Sequence, residues 1–150
     1  MIEINNLTAI PLDKKFLKEI GEKVLVGEGI KEETELSVAF VSSQRIKELN
    51  KKYRGKDKVV SILSFPDTEK EFPFLAREKP GILGEIIICP SELKKNATKY
   101  KISFQSELAR VFIHGILHLL GYEDKKGEKA AKKMEEKEEY YISKVVKKYG

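Results

Sequence analysis

Apolar residues recur along this chain at two spacings, and the switches between them mark out the elements. Ile2, Ile4 and Leu7 suit a short opening strand. Phe16, Leu17, Ile20, Val24 and Leu25 then share one helical face, with Asp13 placed to cap the helix and Gly27 near its end. Residues 36–41 read as a strand buried on at least one face. Ser43 is the expected cap of a second helix through Ile46, Leu49 and Tyr53, stopped by Gly55. Residues 59–65 form the third expected strand, closed by Pro66. A loop over 66–81 follows, with Pro73 and Pro80 inside it and Phe72, Phe74 and Leu75 as candidate anchors to the body. The fourth strand, 82–89, carries three consecutive isoleucines, a pattern that asks for burial on both faces.

Three helices complete the chain. Pro90 is suited to the first turn of one running to about Thr98. Ser103 caps the next, whose apolar residues from Phe104 to Leu120 surround most of its circumference, so it is expected to be central and buried. Gly121 follows as the residue able to turn left-handed. The last helix, over about 127–148, is charged but carries Met134, Tyr141, Ile142 and Val145 on one side. The order β-α-β-α-β-β-α-α-α predicts an α+β fold: a small mixed sheet of about four strands with helices packed on it.

Composition narrows the class. At 150 residues, 41% apolar and 35% charged, the chain is expected to be one domain over 1–150 with a core of its own. No apolar run approaches the ~20 residues of a spanning helix, and the N-terminus lacks the pattern of a signal peptide, so a cytoplasmic protein is expected. A lone cysteine, Cys89, excludes an internal disulfide framework and reads as a small buried hydrophobe. Lysine outnumbers arginine 25 to 4 and glutamate outnumbers aspartate 20 to 4, a surface of the heat-adapted kind. The net charge of +5 is concentrated, however. Residues 51–58 hold five cations and one anion, and residues 94–101 hold four more around Tyr100, patches able to neutralise phosphates.

The chain has only two histidines, and they are four apart. His114 and His118 therefore project from one helical face, a spacing that lets two imidazoles reach one metal ion. Two readings compete: a metal pair, or two histidines satisfied by hydrogen bonds in a core. Burying bare imidazoles in an aliphatic helix is costly, which favours the metal. Gly121 and Asp124 extend the pattern to H-x-x-x-H-x-x-G-x-x-D, the spacing of the metzincin zinc signature with a carboxylate as third ligand. Two nitrogens and one carboxylate leave an open position, as a catalytic zinc site requires. A zinc peptidase also needs a glutamate directly after the first histidine, and here that residue is Gly115. Glu85 and Glu123 are the candidate substitutes, and a metallopeptidase is the least favoured reading.

The blocks around these positions resemble a known family. Residues 114–124 read H-G-I-L-H-L-L-G-Y-E-D against a family pattern of H-G-x-L-H-L-x-G-Y-D-H. Residues 49–57, L-N-K-K-Y-R-G-K-D, are similar to L-N-x-x-Y-R-x-K-D and run into V-V-S-I-L-S-F-P, while 83–88 are similar to L-G-D-I-x-I. The family is that of the YbeY-type bacterial endoribonucleases and rRNA maturation factors. The resemblance implies a single-strand endoribonuclease acting in 16S rRNA 3′-end maturation and ribosome quality control. Single-stranded RNA, rRNA and the small ribosomal subunit are the implied partners. It implies one zinc ion held by His114, His118 and the residue at the third position, Asp124, which replaces the family's histidine. It also implies that Arg54 is the catalytic residue that lines the cleft and holds RNA phosphate, a task suited to a permanently charged guanidinium. A carboxylate ligand lowers the formal charge of the site by one and also admits nickel or iron. Ser61 replaces an aspartate of the family. A monomer is expected, and a non-catalytic ribosome-assembly or RNA-binding factor with a structural metal is the main alternative.

Overall fold

A computed structural model describes residues 1–67, 81–123 and 127–149. Its described elements are β1 (Ile2–Asn6), α1 (Lys14–Gly27), β2 (Glu35–Phe40), α2 (Ser43–Arg54), β3 (Ile62–Pro66), β4 (Ile82–Ile88), α3 (Pro90–Tyr100), α4 (Phe104–Leu119) and α5 (Glu128–Tyr149). The four strands form one sheet in the order β1-β2-β4-β3. The first three are parallel, and β3 runs antiparallel to β4 at the edge. The expected α+β architecture is the one observed.

Alternation along the central strands divides the core in two. Val38, Phe40, Ile86 and Ile88 face α1, α4 and α5, whereas Ala39, Val41 and Ile87 face α2 through Ile46 and Leu49. Both faces of β4 are thus covered, which is why its isoleucines run without a polar break. Helix α4 is the centre of the larger cluster, with Leu108, Phe112, Ile113, Ile116 and Leu117 all buried. Cys89 is buried and reduced, in keeping with the reading of it as a small apolar residue.

Two boundaries differ from expectation. Ser42, not Ser43, caps α2, its hydroxyl accepting the Arg45 N–H at 3.2 Å. The third strand starts at Ile62, not residue 59. Buried Asn50 donates to the Lys58 carbonyl at 3.1 Å, and the Lys56 N–H reaches the Asn50 carbonyl at 3.3 Å. These bonds tie the chain before β3 to the end of α2, away from the β4 ladder. Most of the 66–81 loop, including Phe72, Phe74 and Leu75, lies outside the described residues.

An ion pair with one buried partner lies on α4 just before the histidines. Glu107 is fully buried and receives two 2.8 Å bonds from the Arg110 guanidinium. The bidentate geometry compensates a carboxylate that burial would otherwise penalise heavily.

Candidate metal centre and basic cleft

The two histidines are held by the end of α4. Gly121 has φ +99°, the Gly121 N–H bonds to the His118 carbonyl at 3.0 Å, and the Tyr122 N–H bonds to the Leu117 carbonyl at 3.0 Å. This is the Schellman closure of a helix, and it needs the left-handed residue that glycine supplies most readily. The same closure brings the Tyr122 carbonyl within 3.0 Å of His118 Nδ1. A carbonyl oxygen only accepts, so Nδ1 of His118 carries the proton. Nδ1 of His114 meets the Glu138 carboxylate of α5. An ionised carboxylate also only accepts, so it sets the same tautomer.

The two Nε2 atoms lie 2.8 Å apart, and the rings meet edge to face at 83°. With both Nδ1 atoms donating, neutral imidazoles point two lone pairs at one spot. That arrangement is repulsive unless a proton joins them or a metal cation lies before them. The residues present therefore fit a metal ion of the nitrogen-binding class. Among the described residues, no cluster of three or more His, Cys, Asp or Glu side chains is arranged to hold a metal. Asp124, the third ligand expected from sequence, lies outside the described residues, and Glu123 directly before it lines the cleft.

The pair opens into a cleft of about 480 Å³ whose walls include Arg54, Lys56, Lys58, Ser64 and Pro66. Arg54 comes from the last turn of α2, where Gly55 adopts φ +70° and ends the helix. Its guanidinium donates to the Ser64 carbonyl at 2.9 Å and lies 4.5 Å from the Phe65 ring centre. The first lysine-rich segment and the histidines thus meet in one place. The second, 94–101, lies along and just past α3 and contributes no described residue to the lining. Glu85, one of the two candidate bases, is buried in β4 and is likewise absent from the described lining.

The fold also explains Gly115. A Cβ there would approach Ile62 Cδ1 at 2.6 Å and Ser64 Oγ at 3.2 Å, so this position faces β3 at close range. A larger side chain there would have to displace the end of the Ile62 side chain.

Two supports of the site are invisible as motifs. Glu138 belongs to a stretch with four glutamates in residues 135–139 that reads as solvated surface. Its signal is positional: it falls at helical spacing between the buried residues Met134, Tyr141 and Val145. Glu28, at the end of α1, accepts from Tyr122 at 2.5 Å, from Lys137 at 3.1 Å and from Tyr141. Burial pushes the Glu28 carboxyl up, but the bonds from Tyr122, Tyr141 and Lys137 outweigh it and hold it below its ordinary range. A depressed carboxyl stabilises the fold above the ordinary carboxylate range and loses that contribution as pH falls through its lowered value. Glu28→Gln should therefore cost about 1–3 kcal/mol at neutral pH, a deficit that closes on acidification. Denaturant unfolding of both proteins across the acid range checks this, and a deficit independent of pH would refute it.

A family model described as Endoribonuclease YbeY matches residues 3–146. The chain belongs to the YbeY endoribonuclease family. Relatives of this YbeY-family chain include the Endoribonuclease YbeY of Macrococcus caseolyticus, 43% identical over 116 residues and 75% of each chain. That of Persephonella marina is 41% identical over 123 residues, covering 82% of this chain and 77% of the relative. The solution structure of a Thermotoga maritima protein superposes on the YbeY-family fold with a TM-score of 0.67 at 32% identity. The match spans 99% of this chain and 91% of that one. No described helix is long and apolar enough to cross a membrane.

Proposed function

We propose that this protein is a zinc-dependent endoribonuclease that cleaves single-stranded RNA in the basic cleft. The observation that carries the reading is the convergence of two lone-pair nitrogens beside Arg54, Lys56 and Lys58. The family relationship supports RNA as substrate, and the sequence blocks shared with the family support 16S rRNA 3′-end maturation on the small ribosomal subunit. His114, His118 and Asp124 are the proposed ligands. A zinc ion bound there supplies Lewis acidity toward a phosphodiester. Arg54 holds the phosphate and offsets the charge that develops on it, while Lys56 and Lys58 draw the strand into the cleft. Glu123 also lines the cleft and is the proposed proton acceptor.

Cleavage of a labelled single-stranded RNA should stop on chelation and return with zinc. Arg54→Ala should cleave roughly 10- to 100-fold more slowly with its zinc content intact, the scale of a lost charge-assisted phosphate contact. RNA binding without any cleavage by the zinc-loaded wild type would instead favour the non-catalytic assembly factor.

A further inference from the structure

Strand β3 is the outer strand of the sheet, paired only with β4 among the described elements. The Cys89 N–H donates to the Ser61 carbonyl at 2.9 Å and the Asp67 N–H donates to the Leu83 carbonyl at 3.2 Å. Leu63 and Phe65 fall between them in the same register. In an antiparallel pair, a residue's N–H and C=O point the same way and successive residues alternate. Odd-numbered residues of β3 therefore face β4, and Ile62, Ser64 and Pro66 turn their backbones to the open edge. Two independent features agree. Arg54 reaches the Ser64 carbonyl from outside the sheet at 2.9 Å, and the proline, which has no N–H, occupies an outward position.

An open edge ordinarily offers donors and acceptors alike, and so invites another β-strand. This one opens into a cleft of cationic side chains. At Ser64 the acceptor is already bonded by Arg54, and at Pro66 there is no donor. By the same alternation the amides of Ile62 and Ser64 point away from β4, as do the carbonyls of Ile62 and Pro66. These amides lie beside the guanidinium in a cleft that also contains Lys56, Lys58 and the two histidines. A peptide strand makes no use of that positive charge, whereas a phosphate takes it together with the donors.

We infer that the outward amides of Ser64 and Ile62, with the Arg54 guanidinium, form a site for the non-bridging phosphate oxygens of a single-stranded RNA backbone. The inference rests on the RNA-cleaving reading above and assigns it a second set of phosphate contacts, made by the main chain. It accounts for the geometry of Arg54: bonding to the Ser64 carbonyl holds the guanidinium next to the Ser64 N–H, so both donors address one anion. Such contacts are blind to base identity, which suits a cleft that follows the strand by its backbone.

The test uses the full chain, isotope-labelled and zinc-loaded, titrated with a 2′-O-methyl RNA oligonucleotide and separately with inorganic phosphate. The amide protons of Ser64 and Ile62 should move downfield on saturation with the oligonucleotide, together with the Arg54 Nε–H. A protein with an ester in place of the Ser64 amide, made with the hydroxy acid analogue of serine, removes that N–H and keeps the side chain. It should bind the oligonucleotide and cleave RNA roughly 10- to 100-fold less well, with zinc content unchanged. Combined with Arg54→Ala, the loss should be less than the product of the two single losses, because both donors serve one anion. If the ester protein does not fold, the titration of the unmodified chain decides. Oligonucleotide binding with silent Ser64 and Ile62 amides, or an ester protein that binds as the wild type does, overturns the inference alone. A wild type that neither binds nor cleaves RNA overturns the functional reading beneath it.

Discussion

His114→Ala is expected to lose stoichiometric zinc and, with it, RNA cleavage. The helix would retain one candidate ligand nitrogen, Nε2 of His118, since Nδ1 of that residue is committed to the Tyr122 carbonyl. Zinc held by four protein ligands is worth ~10–16 kcal/mol, so one ligand accounts for roughly 3–4 kcal/mol, or about 100- to 1000-fold in affinity. Glu138→Gln should be milder, because the amide oxygen still accepts from His114 Nδ1 but no longer carries charge. A weakening of about 10- to 100-fold is the scale for losing such a support. Metal content after dialysis and competition against a chromogenic chelator rank the three proteins directly. Zinc affinity unchanged in His114→Ala would remove the metal centre from the account. Asp124→Ala belongs in the same series, and full metal content there would mean that the third ligand is another group.

The second large effect concerns stability. Gly115→Glu introduces the residue a zinc peptidase would carry, and it should lower stability without conferring peptidase activity. The new Cβ would lie 2.6 Å from Ile62 Cδ1 and 3.2 Å from Ser64 Oγ, so the end of the Ile62 side chain must shift. Overpacking of this kind costs ~1–3 kcal/mol, and a carboxylate placed beside Ile62 and Ile86 adds to it. Gly115→Ala separates the two terms, since it keeps the steric conflict and omits the charge. Thermal unfolding of both variants provides the measurement. A Gly115→Glu protein as stable as the wild type would mean that α4 does not pack this closely on β3.

Much of the fold was legible because burial imposes periodicity. The caps at Asp13 and Ser103, the stop at Gly55 and the buried isoleucines of β4 lie where local chemistry puts them. The start of β3 was not legible. Val59 and Val60 have the composition of a strand, but the Asn50 side chain, eight residues before its partner Lys58, holds that stretch against α2. A contact at that range leaves no local pattern. The site divides in the same way. The histidine pair and the glycine after it announce themselves by spacing, whereas Glu138 and Glu28 are two among twenty glutamates until the helices pack.

By itself, the sequence determined which side chains share a helical face, where the chain turns and what class of metal those side chains suit, because these depend on residues within a few positions of each other. It also carried the family blocks. Only the tertiary structure decided that the Nδ1 atoms are engaged and the Nε2 atoms face each other, that Gly115 faces a strand, and that β3 turns the amides of Ile62 and Ser64 outward on the side of Arg54. Most of these outcomes need separate elements to pack, as His114 on Glu138 does across 24 residues and Ser64 on Gly115 across 51, a distance at which hydrogen bonds and excluded volume act but sequence periodicity does not.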